Sequence, residues 1–134
     1  MRRPAVPADL PALLGLCEAA GRDALSDPAL VTEALLRRLI AVGTVMVQEE
    51  DGVVVGFAVL DSGAVHLLVD PAQRSKGIGR ELLSAACAAL KETGHPVAIL
   101  TLAPGSAAER HYRAAGWTET GKSPKGGLVI KKKL

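Results

Sequence analysis

The 134-residue sequence predicts an α/β domain, a mixed and mostly antiparallel sheet of six or seven strands flanked by about four helices. Three observations carry that expectation. Short runs rich in β-branched and apolar residues alternate with stretches whose apolar positions recur every three or four residues, the periods of strand and helix. Three strand-like runs follow one another across the turns Glu50-Asp51-Gly52 and Asp61-Ser62-Gly63, which are short enough to join strands antiparallel. A glycine-rich turn, Gly77-Ile78-Gly79, then leads from an apolar strand into a helical stripe, so the helix has a sheet to pack on.

Taken in order, Arg2 to Ala5 reads as a short strand and about Asp9 to Ala20 as a helix. Asp9 is placed to cap that helix, and Leu10, Leu13, Leu14 and Cys17 fall on one face. A second helix is expected from about Pro28 to Ala41, with Asp27 as cap, proline in the first helical position and Gly43 as its stop. Gly21 to Asp27 is the loop between them. Thr44 to Gln48 and Val53 to Leu60 form a hairpin, and Ala64 to Val69 continues it as a meander. Ile78, Leu82, Leu83, Ala86 and Leu90 mark a helix that starts near Gly77, ends at Gly94 and packs on the sheet. Val97 to Leu102 is nearly all apolar, the pattern of a central strand covered on both faces. Ser106 to Ala115 is a short helix, and Trp117 to Thr120 with Leu128 to Lys133 closes the sheet as a hairpin. With no repeat, linker or low-complexity tract, residues 1–134 are expected to form one domain, burying roughly two thirds of the surface the unfolded chain exposes.

Composition narrows the function. A net charge of +2 and only three aromatic side chains argue against a nucleic-acid partner. No apolar run approaches a membrane span, and Met1-Arg2-Arg3-Pro4 leads into no signal-peptide core, so a soluble, cytoplasmic protein is expected. Cys17 and Cys87 fall on apolar helix faces, where reduced, buried thiols are expected rather than a disulfide or a metal pair. Lys131-Lys132-Lys133 reads as a solvated guard on an edge strand.

The chemistry concentrates at Arg74-Ser75-Lys76-Gly77-Ile78-Gly79-Arg80. The first N–H groups of a helix have no intrahelical acceptor and carry the positive end of its dipole, and glycine lets a ligand approach them. Arg74 and Lys76 add cations suited to a ligand with several phosphates. Two other matches fail on context. Gly116-Trp117-Thr118-Glu119-Thr120-Gly121-Lys122-Ser123 fits the P-loop pattern at every fixed position, yet a helix precedes it and Pro124-Lys125-Gly126-Gly127 follows, so it reads as a strand entering a hairpin turn. Gly77-Ile78-Gly79 is no dinucleotide fingerprint, because position 82 is Leu and no acidic residue ends the next strand.

Val69 through Leu83 resembles the acyl-CoA-binding motif of the GNAT N-acetyltransferase superfamily, whose core reads Arg/Gln-x-x-Gly-x-Gly/Ala; Arg74, Gly77 and Gly79 match it. Ala108 to Trp117 resembles that family's A-x-x-x-Y-x-x-x-G-F/W element, and the two motifs stand in the family's order with a strand between. The resemblance implies the GNAT fold, acetyl-CoA as co-substrate, no metal, and transfer of an acetyl group to a primary amine. It assigns the leaving thiolate's hydrogen-bond donor and acid to Tyr112. It also implies that the neighbouring strands splay, that the pantetheine arm uses main-chain groups of Leu67 and Val69, and that a Val69 N–H holds the oxyanion. The CoA phosphates fall to Arg74, Ser75, Lys76, Gly77, Ile78, Gly79 and Arg80.

Alternatives remain for the rest of the site. The general base is His66 or water, with His111 and His95 read as a helix-surface and a turn residue. At the position where the family commonly has Asn, seven residues before the tyrosine, this chain has Gly105. That departure leaves a CoA-binding regulatory or vestigial module without turnover as the alternative function, beside the weaker nucleotide-binding one. The acceptor is a small-molecule or peptide amine, expected to enter past the loop between the first two helices and the loop joining the last two strands, with Asp23 and Asp27 as candidates to meet a cation. The expected assembly is a monomer or homodimer.

Overall fold

The computed structural model describes residues 1–19, 31–73, 76–102, 104–123 and 126–134. Seven strands, β1 (Arg2–Pro4), β2 (Val45–Glu50), β3 (Val53–Asp61), β4 (Ala64–Val69), β5 (Val97–Leu102), β6 (Thr118–Lys122) and β7 (Leu128–Lys133), form one sheet in the order β1-β2-β3-β4-β5-β7-β6. Every pairing is antiparallel except that of β4 with β5. Helices α1 (Leu10–Ala19) and α2 (Glu33–Ala41) cover one face, and α3 (Ile78–Glu92) and α4 (Ala107–Ala114) cover the other.

Strand alternation sorts the core into two layers. Val45, Val47, Phe57, Val59 and Leu68 pack with Leu13, Leu36, Leu39 and Ile40 on the α1–α2 face. Val65, Leu67, Val69, Leu100 and Ile130 pack with Leu82, Ala86, Leu90, Tyr112 and Trp117 on the α3–α4 face. Of the stripe read from the sequence, Ile78, Leu82, Ala86 and Leu90 form the buried face of α3, whereas Leu83 is half-buried at its side. Cys17 and Cys87 are free thiols beside opposite layers. Among the described residues no helix is long and apolar enough to cross a membrane, and no cluster of ligating side chains is placed to hold a metal ion.

Several boundaries differ from the sequence reading. The second helix starts at Glu33, not near Pro28, because Thr32 is extended and its hydroxyl accepts the Leu35 N–H at 3.1 Å, a side-chain cap that fixes the start. Asp23, Asp27, Pro28 and the loop expected at Gly21 to Asp27 lie outside the described residues. Asp9 does not cap α1. It closes a 3₁₀ turn, Pro7–Asp9, by accepting from the Val6 N–H, and the Arg3 guanidinium grips both its oxygens at 2.8 and 2.9 Å. Strand β5 is not covered equally on both faces: Ala98, Leu100 and Leu102 are buried, whereas Val97, Ile99 and Thr101 are half-buried. Lys131 to Lys133 are exposed but occupy β7, which is paired on both sides; the edge strand is β6. Lys132 Nζ instead donates to the Ala115 carbonyl at the end of α4, where the helix dipole favours a cation.

The clamp of Arg3 on Asp9 ties β1 to the start of α1 and holds the Asp9 carboxyl below the ordinary aspartate range; the Arg3 hydrogen bonds are the main cause, opposed by burial and assisted by the Val6 amide. A carboxyl whose pKa is lowered by folding stabilises above its unfolded value of about 3.9, and that contribution is lost as pH falls through the folded value. Asp9→Asn is therefore expected to lower the Tm at pH 7, with the gap to the parent protein closing below about pH 3.9. Thermal melts by circular dichroism from pH 2.5 to 7 check this; a gap independent of pH would show that the charge is not what the clamp uses.

Candidate active site

Strands β4 and β5 share one bridging pair, Ala64↔Ile99, supported by the Ile99 N–H donating to the Gly63 carbonyl at 3.0 Å. Beyond it the two strands make no further bridging pair, although β4 stays paired with β3 over its whole length, from Asp61↔Ala64 to Gly56↔Val69. The sheet therefore opens between β4 and β5 toward the C-terminal end of β4. Leu67 and Val69 lie on that strand with side chains buried toward α3. A turn at Pro71–Gln73 and the start of α3 close this same end.

Gly77 is the N-cap of α3, with φ +82° and ψ 3°, a left-handed conformation that glycine adopts without strain. No side chain caps the helix there, and the first helical bond is Glu81 N–H to the Gly77 carbonyl. The amides of Ile78, Gly79 and Arg80 thus lack intrahelical acceptors, as the first turn of any helix requires. A Cβ built on Gly77 meets no atom within 4 Å, so the backbone is open to a ligand. Lys76 is exposed and donates to Gln73 Oε1 at 2.9 Å; Arg80 is exposed and Ile78 buried. Arg74 and Ser75 lie outside the described residues. The described part of the turn fits a polyphosphate: it offers backbone donors, an open approach and two cations at a helix N-terminus.

From Gly79 and Arg80 a groove of about 350 Å³ runs between α3 and α4, walled by Leu83, Cys87, His111 and Tyr112 and floored by Trp117 and Lys132. Tyr112 is 2% exposed, and its ring packs against Trp117 at 5.7 Å between centroids and against His111 at 5.6 Å. Trp117 is fixed by its own N–H, which donates to the Tyr112 carbonyl at 3.0 Å across the Gly116 turn. No residue among those described forms a hydrogen bond with the Tyr112 hydroxyl. Burial pushes the phenol pKa well above its ordinary value, and the nearby Cys87 adds to the shift. The same pocket raises the Cys87 thiol, again mainly by burial, with Lys132 opposing.

His66 is buried, 8% exposed, on the face of β4 that Leu68 shares with α1 and α2. It is thus not turned to solvent. His111 is exposed beside Tyr112, and the His95 ring sits 3.0 Å from Thr93 Oγ1 in the turn after α3. Gly105 has φ +74°, and its N–H donates to Glu109 Oε2 at 2.9 Å while Ser106 Oγ accepts the Glu109 N–H. The turn into α4 thus uses the glycine at the position where the family commonly has asparagine. Cys87, Trp117 and Lys132 join the site only through the tertiary fold. Leu83 and Cys87 stand i, i+4 on α3, one position beyond the sheet-facing stripe, and that second apolar row is the signal for a partner helix.

The P-loop lookalike is resolved as a strand and hairpin turn. Residues 118–122 are β6, Lys122 pairs with Leu128, and the Ser123 hydroxyl accepts the Gly127 N–H at 2.9 Å. The residues on either side of 124–125 form no helix that points amides at an anion.

A family model described as an acetyltransferase (GNAT) domain matches residues 41–119 of the chain. No curated protein matches it. Among solved structures, a ribosomal-protein-alanine N-acetyltransferase from Brucella melitensis is 27% identical, covering 100% of this chain and 99% of that one with a TM-score of 0.76. A GCN5-related N-acetyltransferase from Rhodopseudomonas palustris superposes with a TM-score of 0.82 at 18% identity, covering 100% of this chain and 95% of the other. The yncA protein of Salmonella typhimurium, solved with its cofactor acetyl-CoA, is 24% identical over 100% of this chain and 93% of its own, with a TM-score of 0.74.

The hairpin context of Lys122 has a direct consequence. Lys122→Ala is expected to leave coenzyme A affinity within about 0.5 kcal/mol, the range of a surface substitution away from a site. Isothermal titration measures it, and a tenfold loss would move the anion site from the turn before α3 to the one after β6.

Proposed function

The chain belongs to the GNAT acetyltransferase family, and on that premise we propose how its own residues carry an acetyl group from acetyl-CoA to a primary amine. It is an N-acetyltransferase by family. Acetyl-CoA supplies the acyl group as a thioester. The amides of residues 78–80, with Lys76, Arg80 and the adjoining Arg74 and Ser75, hold its phosphates, and the opening between β4 and β5 takes the pantetheine arm along Leu67 and Val69. A Val69 N–H turned into that opening stabilises negative charge on the carbonyl oxygen as the amine adds.

The observation that carries this reading is Tyr112, a buried phenol without a hydrogen-bond partner among the described residues, in a groove that begins at the α3 N-terminus. As the new C–N bond forms and the C–S bond breaks, negative charge moves to sulfur. In water a phenol near pKa 10 is a weaker acid than a thiol near about 8.5. Burial raises the phenol further, yet it also raises a thiol in the same surroundings, as Cys87 shows. Both anions are destabilised together, so the Tyr112 hydroxyl serves as a neutral donor whose hydrogen bond to sulfur strengthens as the thiolate develops. The proton lost by the amine leaves through His66 or through water.

The acceptor is a peptide α-amine in preference to a small metabolite. What supports this is the full-length similarity to the Brucella protein, which is named for acetylating an alanine amine of a ribosomal protein. Thiol release from acetyl-CoA, followed over a panel containing an alanine-first peptide, a polyamine and a small primary amine, tests donor and acceptor together. Release with the peptide at the highest kcat/KM is expected. Tight coenzyme A binding without release from any amine would favour the binding module that the Gly105 departure leaves open.

Tyr112→Phe removes only the hydroxyl, which has no hydrogen-bond partner among the described residues, so the Tm is expected to hold. Positioned proton donors typically contribute about 10²- to 10⁴-fold, and kcat is expected to fall at least tenfold even with water as substitute. Acetyl-CoA affinity is expected to stay within about threefold, because the hydrogen bond is strongest in the transition state. A lower Tm with weakened binding and unchanged kcat would make Tyr112 a core residue only.

A further inference from the structure

The groove beside Tyr112 is not the only concavity, and a larger one lies elsewhere on α3. A groove of about 570 Å³ lies on the opposite flank of α3, between that helix and the strands at the β1 edge of the sheet. Its size falls within the roughly 300–1,000 Å³ of small-molecule sites, and like them it is mainly apolar with a few polar groups at its ends. One wall is Pro4, Val45 and Met46; the other is Ala85, Ala89 and Leu90. Ala85 and Ala89 stand i, i+4 on α3, and their short side chains leave the room that Leu83 and Cys87 fill on the α4 side. Thr93 and His95 lie at the far end, and Arg2 at the near one.

Charge decides what this groove accepts. Among its described lining residues there is no Asp or Glu, and the nearest carboxylate at its Arg2 end is Glu81. Of its two arginines, Arg3 is engaged bidentately by Asp9. Arg2 is loosely held: its guanidinium is 3.5 Å from Glu81, and the two side chains are 42% and 59% exposed. Such an exposed pair contributes little, whereas a ligand carboxylate can take the guanidinium in two parallel bonds of about 2.7–2.9 Å. From Ala85 to Thr93 the helix advances about 12 Å at 1.5 Å per residue, which gives an extended aliphatic chain a path along the Ala85–Ala89 face. We propose that this groove binds a medium-chain carboxylate, its head on Arg2 and its chain between Met46 and the two alanines. The site is separate from the one used for acetyl transfer, because α3 stands between the two grooves.

The test titrates octanoate into the full chain by calorimetry, with and without saturating coenzyme A, beside octyltrimethylammonium and octanol. Saturable octanoate binding at one per chain is expected, unchanged by coenzyme A, with a rise in Tm that grows with ligand concentration. The cationic and neutral chains are expected to bind at least about fivefold more weakly, as is octanoate to Arg2→Ala, because each comparison removes one partner of a charge-assisted contact. Ala89→Phe fills the groove and is expected to abolish binding while coenzyme A affinity holds. Should that variant fail to fold, Arg2→Ala and the cationic chain decide the question. Absence of saturable binding at millimolar octanoate, equal binding of the cationic chain, or displacement by coenzyme A would overturn the proposal.

Discussion

The arrangement on which everything else depends is the parallel junction between β4 and β5, which holds by one bridging pair and then parts. A parallel pair cannot be joined by a tight turn, so α3 must cross over between the strands, and its N-terminus falls at the end where they separate. Free helix amides, an open backbone at Gly77 and the gap in the sheet are thus consequences of one connection. What holds the two halves of the sheet together is the layer above them. Leu82, Ala86 and Leu90 of α3 share a core with Val65 and Leu67 of β4 on one side and Ala98 and Leu100 of β5 on the other. Apolar burial of this kind has no directional demand, so it tolerates a separation that a hydrogen-bonded ladder does not.

The same layer sets the electrostatics of the groove beside Tyr112. Trp117 and the side of α3 remove water from the phenol, and with it the stabilisation of a phenolate. A tyrosine in such a place remains a hydrogen-bond donor at neutral pH. A carboxylic acid there would be ionised or strongly perturbed, and a lysine would need a counter-charge. The other side of the sheet has a different character. His66 shares its face with Leu68 and the core of α1 and α2, so the two titratable groups of the proposed chemistry, His66 and Tyr112, approach β4 from opposite layers.

Two features that look like ornaments of the sequence have structural causes. Gly105 takes a left-handed φ and gives its amide to Glu109, so this turn into α4 is built from backbone geometry where an asparagine side chain is common in the family. The three lysines near the C-terminus lie on a strand paired on both sides, and one of them finds the carbonyl end of α4.

The sequence by itself determined the strand and helix periods, the meander of β2, β3 and β4, the glycine turn at the start of α3 and the order of the two family motifs, because each is a local pattern in which neighbours constrain one another. It determined equally that Gly116 to Ser123 is no phosphate loop, since the residues after it cannot make the helix such a loop needs. Local pattern failed at Asp9 and at the start of α2, where long-range partners or a competing cap outweighed propensity: Arg3 took the carboxylate, and Thr32 supplied the hydroxyl. Only the tertiary structure decided that β7 lies inside the sheet, that His66 faces α1 and α2, that Cys87 and Trp117 surround Tyr112, and that α3 has a groove on each flank. These depend on which strands become neighbours and which helices share a face. Such relations arise between residues far apart in the chain, and no local spacing encodes them.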